Sequence, residues 1–278
     1  MKFGIHLPQF GRASGPQSVT KAAQHAEALG YDDIWVSDHL AIPARAPYPP
    51  TAYIHEPFVT LTWAAAATER VGIGMSVLVA PMRHPLELAK MFGSLDIMSG
   101  GRLVVGAGVG WLEEEFDALG VPFRERGKRT DDTIRIMRAC WTEDPVTLDG
   151  DAVPARFREM RALPRPERPV PIWIGGMSDP AIKRAIETGD GWHGSRQTPE
   201  DIAPIVVRLR EARPEESFTI STRLAWDGLE DDRDEMRRQV AGFRELGVQH
   251  LMFQPRQRYA ADWHRSVEAL WKIASEDA

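Results

Sequence analysis

The chain has 278 residues, 43% of them hydrophobic, and a formal net charge of −6 at pH 7. This length suits a single α/β barrel, and the negative charge argues against nucleic acid as the main partner. The apolar runs are too short for a membrane span, residues 1–6 read as a strand rather than a signal peptide, and the single cysteine, Cys140, excludes an internal disulfide. We therefore expect a cytoplasmic globular protein.

Strand and helix patterns alternate along the whole chain. Apolar runs bounded by turn residues predict strands at residues 3–7, 33–37, 71–79, 102–107, 171–175, 191–193, 217–224 and 248–253. Helical patterns follow them at residues 18–29, 58–68, 85–98, 126–141, 179–188, 200–212, 232–246 and 260–274, with a further segment at 111–119.

This alternation predicts a parallel sheet, because parallel strands need crossover helices. Eight such units in a chain of this length fit a closed (β/α)₈ TIM barrel, and an open doubly wound sheet is the alternative. Residues 143–169, which are rich in proline, predict a short irregular insertion before the fifth strand. No composition shift marks a second core, so we expect one domain over residues 1–278.

The second predicted strand ends in two titratable residues, Asp38 and His39. In a barrel, active sites lie where strands end and loops begin. Histidine exchanges a proton near neutral pH. We expect His39 to carry acid–base chemistry, with Asp38 orienting its ring. The alternative is that Asp38 caps the next segment and His39 is a surface loop residue.

Two later strand ends are rich in glycine. Gly106, Gly108 and Gly110 alternate, which allows close backbone approach to a ligand, although their spacing is not that of the dinucleotide fingerprint. The residues 113–115 that follow are three glutamates, expected as a solvated first helical turn.

The second glycine-rich end, residues 175–180, turns tightly and leads into a helix. Ser178 or Asp179 can cap this helix and Pro180 suits its first turn, so its free N–H groups predict an anion site for a phosphate. An ordinary capped helix that binds nothing is the alternative. The histidines are scattered without the spacing of metal ligands, so we expect no metal site.

Several segments share a characteristic order and spacing. They are Trp35-Val36-Ser37-Asp38-His39, Ser76-Val77-Leu78, Arg83-His84-Pro85, Ser99-Gly100-Gly101-Arg102-Leu103, Gly106-Ala107-Gly108-Val109-Gly110-Trp111, Pro171-Ile172-Trp173-Ile174-Gly175-Gly176 and Gly189-Asp190-Gly191-Trp192. Together they resemble the luciferase-like monooxygenase superfamily of flavin and deazaflavin enzymes over nearly the whole chain. The most similar branch uses the deazaflavin coenzyme F-420.

The resemblance implies a barrel whose C-terminal mouth holds the cofactor ring. It implies a non-prolyl cis peptide at Ser76-Val77 against the back of the ring, and Asp38 and His39 near its reactive face. The cofactor-binding residues that it implies, with the helix cap, are Ser76, Val77, Leu78, Gly108, Gly110, Gly175, Gly176, Met177 and Ser178.

Two positions depart from the sugar-phosphate dehydrogenases of that branch. Those enzymes place a glutamate after the fourth-strand glycines, where this chain has Trp111, and a tryptophan after the Asp-His pair, where it has Pro43. Both changes argue against a sugar-phosphate substrate. They suggest a more apolar substrate pocket of Trp111, Phe10 and Tyr53, with Trp173 nearby and Tyr53 and His55 on a loop over the mouth.

We expect an oxidoreductase that transfers a hydride between F-420 and a small organic substrate. The alternative is an FMN-dependent monooxygenase that uses O2 and reduced flavin from a partner reductase, and a non-catalytic ligand-binding barrel is a third reading. The resemblance implies a homodimer, for which the helices near Pro57 and Pro85 are candidate faces. No nucleic-acid or membrane partner is expected.

Overall fold

A closed parallel barrel of eight strands forms the centre of the computed structural model, which describes residues 1–46, 51–256 and 260–276. In chain order the strands are β1 Lys2–His6, β2 Asp33–Val36, β3 Gly72–Val79, β4 Leu103–Gly108, β5 Val146–Asp149, β6 Arg156–Met160, β7 Ile172–Gly175, β8 Gly191–Ser195, β9 Thr219–Leu224 and β10 His250–Phe253. The helices are α1 Pro16–Leu29, α2 Pro57–Ala66, α3 Pro85–Met98, α4 Glu113–Leu119, α5 Arg126–Thr142, α6 Asp179–Thr188, α7 Pro199–Ala212, α8 Arg233–Glu245 and α9 Ala260–Ser275.

The barrel closes in the order β1-β10-β9-β8-β7-β4-β3-β2. Every pairing within it is parallel. The predicted (β/α)₈ barrel is therefore confirmed, and the open sheet is excluded because no edge is left between β1 and β2.

The insertion before the fifth barrel strand is more regular than the sequence predicted. Its strands β5 and β6 pair in antiparallel fashion as a separate two-stranded sheet. It joins the end of α5 to the start of β7 and folds back along α5, where Asp132 accepts hydrogen bonds from the backbone N–H groups of Ala152 and Val153. None of its residues lines the cavity at the C-terminal mouth.

The interior of the barrel is filled by a few large rings and by glycines that make room for them. Trp35 and Trp173 stack at 5.5 Å and pack with Met252 in a cluster separate from the main core between strands and helices. A Cβ on Gly74 would lie 2.4 Å from the Trp35 ring, and one on Gly191 would lie 2.8 Å from Trp173. Barrel interiors usually hold branched aliphatic side chains, so this interior is unusual in its glycines and tryptophans.

A register shift in β3 between Met75 and Leu78 disturbs the alternation of its side chains. The Ser76-Val77 peptide bond within this shift is cis, as the resemblance implied. The Val77 side chain then occupies space left by glycines on β4 and β7, since a Cβ on Gly108 or Gly175 would lie 2.7 Å from a Val77 methyl group.

The helices expected to form a dimer face are α2 and α3. They expose Val59, Trp63 and Met98. The homodimer stays a prediction. None of the described helices is both long and apolar enough to cross a membrane.

Candidate active site

A cavity of about 360 Å³ opens at the carboxyl ends of the barrel strands. The described residues that line it come from the ends of seven of the eight strands, and only β10 contributes none. The cavity therefore occupies the position at which barrels of this kind hold their active sites.

Ten of the fourteen predicted site residues line this cavity. They are Phe10, Asp38, His39, Ser76, Val77, Gly108, Gly110, Trp111, Gly175 and Gly176.

The other four do not line it. Leu78 is fully buried in the core between strands and helices, and Met177 packs against the same core. Ser178 begins α6, and Tyr53 is 48% exposed and packs edge-on against His55. Backbone pairing of Phe10 with Ile54 holds the Tyr53 loop beside the loop after β1, but Tyr53 is not among the residues that line the cavity.

His39 is held by Glu115 and not by its neighbour Asp38. Its Nδ1 lies 2.8 Å from Glu115 Oε2, while Glu115 Oε1 accepts hydrogen bonds from the backbone N–H groups of Leu40 and Ala41 at 2.6 and 3.1 Å. The expectation that Asp38 orients the ring is therefore wrong. Because Glu115 is only 3% exposed, the expectation of a solvated glutamate run is wrong for this residue as well.

The environment of Glu115 favours its ionised form. Burial alone would raise the pKa of this carboxyl, but the hydrogen bonds from His39, Ala41 and Leu40 outweigh it and lower the pKa below its ordinary value. An ionised Glu115 accepts only, so His39 Nδ1 must be the donor. His39 Nε2, which has no protein partner among the described residues, is left for a ligand in the cavity.

Asp38 forms a bidentate ion pair with Arg83. The guanidinium donates to both carboxylate oxygens, at 2.6 and 2.9 Å, and the backbone N–H of Val79 donates to Asp38 Oδ2 at 2.9 Å. Arg83 also pairs with the more exposed Glu56 at 3.1 Å. The buried Asp38 carboxylate therefore ties the end of β2 to the end of β3, which supports the loop that carries His39.

Trp111 forms the outer wall of the cavity beside His39. Its ring is edge-on to the imidazole, with the centroids 5.9 Å apart, and it is 54% exposed. Phe10 lies on the other side, stacked on His6 at 5.2 Å. The pocket near His39 thus has two aromatic walls.

The expected phosphate loop lies at the start of α6. Gly176 adopts φ +125°, which suits glycine, and the side chain of the N-cap Ser178 makes no capping hydrogen bond. The N–H groups of the first turn are thus not satisfied by that side chain. Arg196, a residue that the sequence analysis missed, lines the same cavity from the loop after β8.

The residues present fit a flat, anionic cofactor. Gly108 and Gly175 place no side chains on one wall of the cavity. The Val77 side chain packs against both glycines, and a Cβ at either glycine would collide with it. The α6 N-terminus and Arg196 offer donors and positive charge for a phosphate. Among the described residues, no group of three or more His, Cys, Asp or Glu side chains is arranged to hold a metal ion.

Eight residues that line the cavity were not predicted, and three of them, His193, Arg196 and Arg223, carry a titratable or charged side chain. His193 follows the rule that residues at strand ends face the mouth, so the pattern could have indicated it. Glu115 was missed because a run of three glutamates at a helix start gives no sign of which member is buried.

Comparison with known proteins agrees with this architecture. The profile of the luciferase-like monooxygenase family matches residues 1–277. An F-420-dependent glucose-6-phosphate dehydrogenase of Kineococcus radiotolerans is 34% identical over 185 residues, which cover 64% of this chain and 52% of that enzyme.

Two solved structures have the same fold. A monooxygenase of Streptomyces bottropensis superposes with a TM-score of 0.82 at 21% identity, covering 98% of both chains. An F-420-dependent secondary alcohol dehydrogenase in complex with an F-420–acetone adduct superposes with a TM-score of 0.79 at 20% identity, covering 96% of this chain and 98% of that one.

Proposed function

The chain belongs to the luciferase-like monooxygenase family, and on that basis we propose that it is an oxidoreductase that transfers a hydride between coenzyme F-420 and a small organic substrate. The observation that carries the proposal is the position of His39. Its Nδ1 is held by a buried glutamate, and its ring lines the same cavity as Val77 and the glycines 108 and 175.

The similarity to the F-420-dependent dehydrogenase of Kineococcus radiotolerans supports the choice of cofactor. Val77, Gly108 and Gly175 would hold the ring, and Gly176 and Arg196 would hold the phosphate. When bound, a deazaflavin exchanges a hydride with the substrate.

His39 would move the proton that accompanies the hydride. In the direction of alcohol oxidation, Nε2 accepts the hydroxyl proton, and in the direction of carbonyl reduction it returns that proton to the oxygen. Glu115 fixes the ring orientation and stabilises the positive charge that forms on it. Asp38 serves as a structural residue that holds the strand ends together.

The substrate pocket would suit a small, partly apolar molecule. Trp111 and Phe10 provide aromatic surface on both sides of His39. No acidic residue follows Gly110 directly, which disfavours the sugar-phosphate chemistry to which that position contributes in similar enzymes.

Cofactor titration tests the proposal. We expect oxidised F-420 to bind and its absorbance to change on binding, and FMN to bind much more weakly. Gly175→Ala should weaken binding, because its Cβ would collide with Val77, whereas Gly127→Ala on α5 meets its nearest neighbour at 3.4 Å and should have no effect. Tight FMN binding without F-420 binding would contradict the proposal and favour the monooxygenase.

A further inference from the structure

A buried line of hydrogen bonds runs from the cavity through the interior of the barrel. Ser76 Oγ lies 2.8 Å from His193 Nε2, and His193 Nδ1 lies 2.8 Å from Ser221 Oγ. Ser221 Oγ lies 2.6 Å from His250 Nδ1, and His250 Nε2 lies 2.9 Å from Asp33 Oδ1. Ser76 and His193 line the cavity, so the line connects a ligand site to a carboxylate near the opposite end of β2.

The aromatic packing of the interior holds these rings in place. Trp35 stacks on His193 with the ring planes only 8° apart and packs at 48° to His250. The indole N–H of Trp35 also donates to Asp33 Oδ1. Each imidazole is therefore confined by packing as well as by hydrogen bonds at both nitrogens.

The line has a definite direction, set at the Asp33 end. Asp33 Oδ1 accepts the indole N–H of Trp35 and lies 2.9 Å from His250 Nε2, and these hydrogen bonds favour the ionised form of the buried carboxyl. An ionised Asp33 can only accept, so His250 Nε2 must carry a proton.

A neutral imidazole carries one N–H, so with that proton on His250 Nε2 the remaining protons follow in order. His250 Nδ1 is then an acceptor, so Ser221 donates to it and accepts from His193 Nδ1. His193 Nε2 is in turn an acceptor, and Ser76 donates its hydroxyl proton to it. Burial lowers the pKa of His193 well below its ordinary value, and the nearby Arg223 lowers it further, which agrees with a neutral ring.

We propose that this line presents Ser76 Oγ to the cavity as a hydrogen-bond acceptor, so that the floor of the cavity selects a ligand group that carries N–H or O–H. Ser76 donates its hydroxyl proton to His193, so its Oγ can only accept a hydrogen bond from a ligand. Asp33, His250, Ser221 and His193 are positioning residues in this arrangement, because they act on the ligand through Ser76.

In this arrangement His193 and His250 each have one defined tautomer. In the ligand-free protein at pH 8, above the value of about 6.5 for unperturbed histidine, ¹⁵N NMR should show His193 protonated at Nδ1 and His250 at Nε2. Protonation of His250 would reverse the line, since its Nδ1 would then donate to Ser221. A neutral His193 that carries its proton at Nε2, or an imidazolium at either position, would overturn the proposal.

Ser221→Ala breaks the line at its centre. His193 Nδ1 then has no acceptor, and a buried N–H without a partner costs about 1–3 kcal/mol. We expect His193 to change to the Nε2–H tautomer and donate to Ser76, while His250 keeps its proton on Nε2. Thr222→Val on the same strand is the matched control, because Thr222 is buried and its hydroxyl has no partner among the described residues.

Ligand selection rests on the proposed function and is measured separately. Reduction of a deazaflavin adds a ring N–H, so Ser221→Ala should lower the preference for reduced over oxidised F-420 by about 2- to 10-fold, the effect of one neutral hydrogen bond. Thr222→Val should leave this ratio unchanged.

If the tautomer of His193 changes in Ser221→Ala while the ratio of the affinities for reduced and oxidised F-420 does not, the proposed ligand selection is wrong. If F-420 does not bind at all, the proposed function fails, while the tautomers of the ligand-free protein still test the hydrogen-bond line. The ratio of binding affinities is then measured with reduced and oxidised FMN.

Discussion

Two histidine systems lie within one barrel and differ in what remains available to a ligand. At the rim, His39 uses one ring nitrogen to bind Glu115 and leaves Nε2 toward the cavity. In the interior, both nitrogens of His193 are bound to serines, and both nitrogens of His250 are bound to Ser221 and Asp33. The rim histidine can therefore exchange a proton with a substrate, whereas the interior histidines fix the direction of hydrogen bonds.

The largest expected effect is on turnover at the rim. His39→Ala removes the group that moves the proton, and we expect turnover of F-420 with an accepted alcohol or ketone to fall by about 10²- to 10⁴-fold. Stability should fall by about 1.5–3 kcal/mol as well, because the buried Glu115 loses the charge-assisted hydrogen bond from His39. His25→Ala is a suitable control, because His25 also pairs with a glutamate, at 3.2 Å, but lies on α1 away from the cavity. Unchanged turnover in His39→Ala would remove His39 from the mechanism.

The second effect is on stability and concerns Asp38. Asp38→Ala leaves the Arg83 guanidinium without its bidentate partner, and breaking a buried ion pair on one side costs about 3–5 kcal/mol. Denaturant unfolding measures this loss. Glu56→Gln removes the more exposed charge from the same arginine and should cost no more than about 1 kcal/mol. Equal losses in the two variants would show that Asp38 is not the main partner of Arg83.

The third effect separates orientation from chemistry at the rim. Glu115→Gln replaces a charge-assisted hydrogen bond to His39, which contributes about 1.5–3 kcal/mol, and should lower kcat by roughly 10- to 100-fold. Cofactor affinity should stay the same, because Glu115 does not line the cavity. A change in affinity without a change in kcat would assign Glu115 to binding.

The barrel could be predicted from the sequence because each strand and helix carries its own periodic pattern and glycine or proline boundaries. Even the cis bond at Ser76 followed from the resemblance. The partners of His39 could not be predicted in the same way. Asp38 is its neighbour in sequence but is turned to Arg83, whereas Glu115 lies 76 residues away and reaches it only because β2 and β4 both end at one mouth.

The interior line was outside the reach of sequence patterns for a related reason. His193 is the third residue of β8 and His250 is the first residue of β10, and a lone histidine in a strand indicates only a satisfied interior residue. Their connection depends on the register of β8, β9 and β10, which aligns His193 with Ser221 and Ser221 with His250. A one-residue change of register would turn these side chains to the other face of the sheet.

The smallest effect is a pH dependence of stability that distinguishes an ionised Glu115 from a neutral one. Because its folded pKa is lowered, Glu115 contributes stability that is present in full above its unfolded value of about 4.3 and is lost as pH falls through the folded value. The difference in unfolding free energy between the wild type and Glu115→Gln should therefore be constant from pH 7 to about pH 5 and then shrink on further acidification. The slope cannot exceed about 1.4 kcal/mol per pH unit, since one proton is involved. Denaturant unfolding of both proteins across this range measures it. A difference that stays constant down to pH 3 would mean that folding does not change the pKa of Glu115, and would contradict the lowering of that pKa by the hydrogen bonds from His39, Ala41 and Leu40.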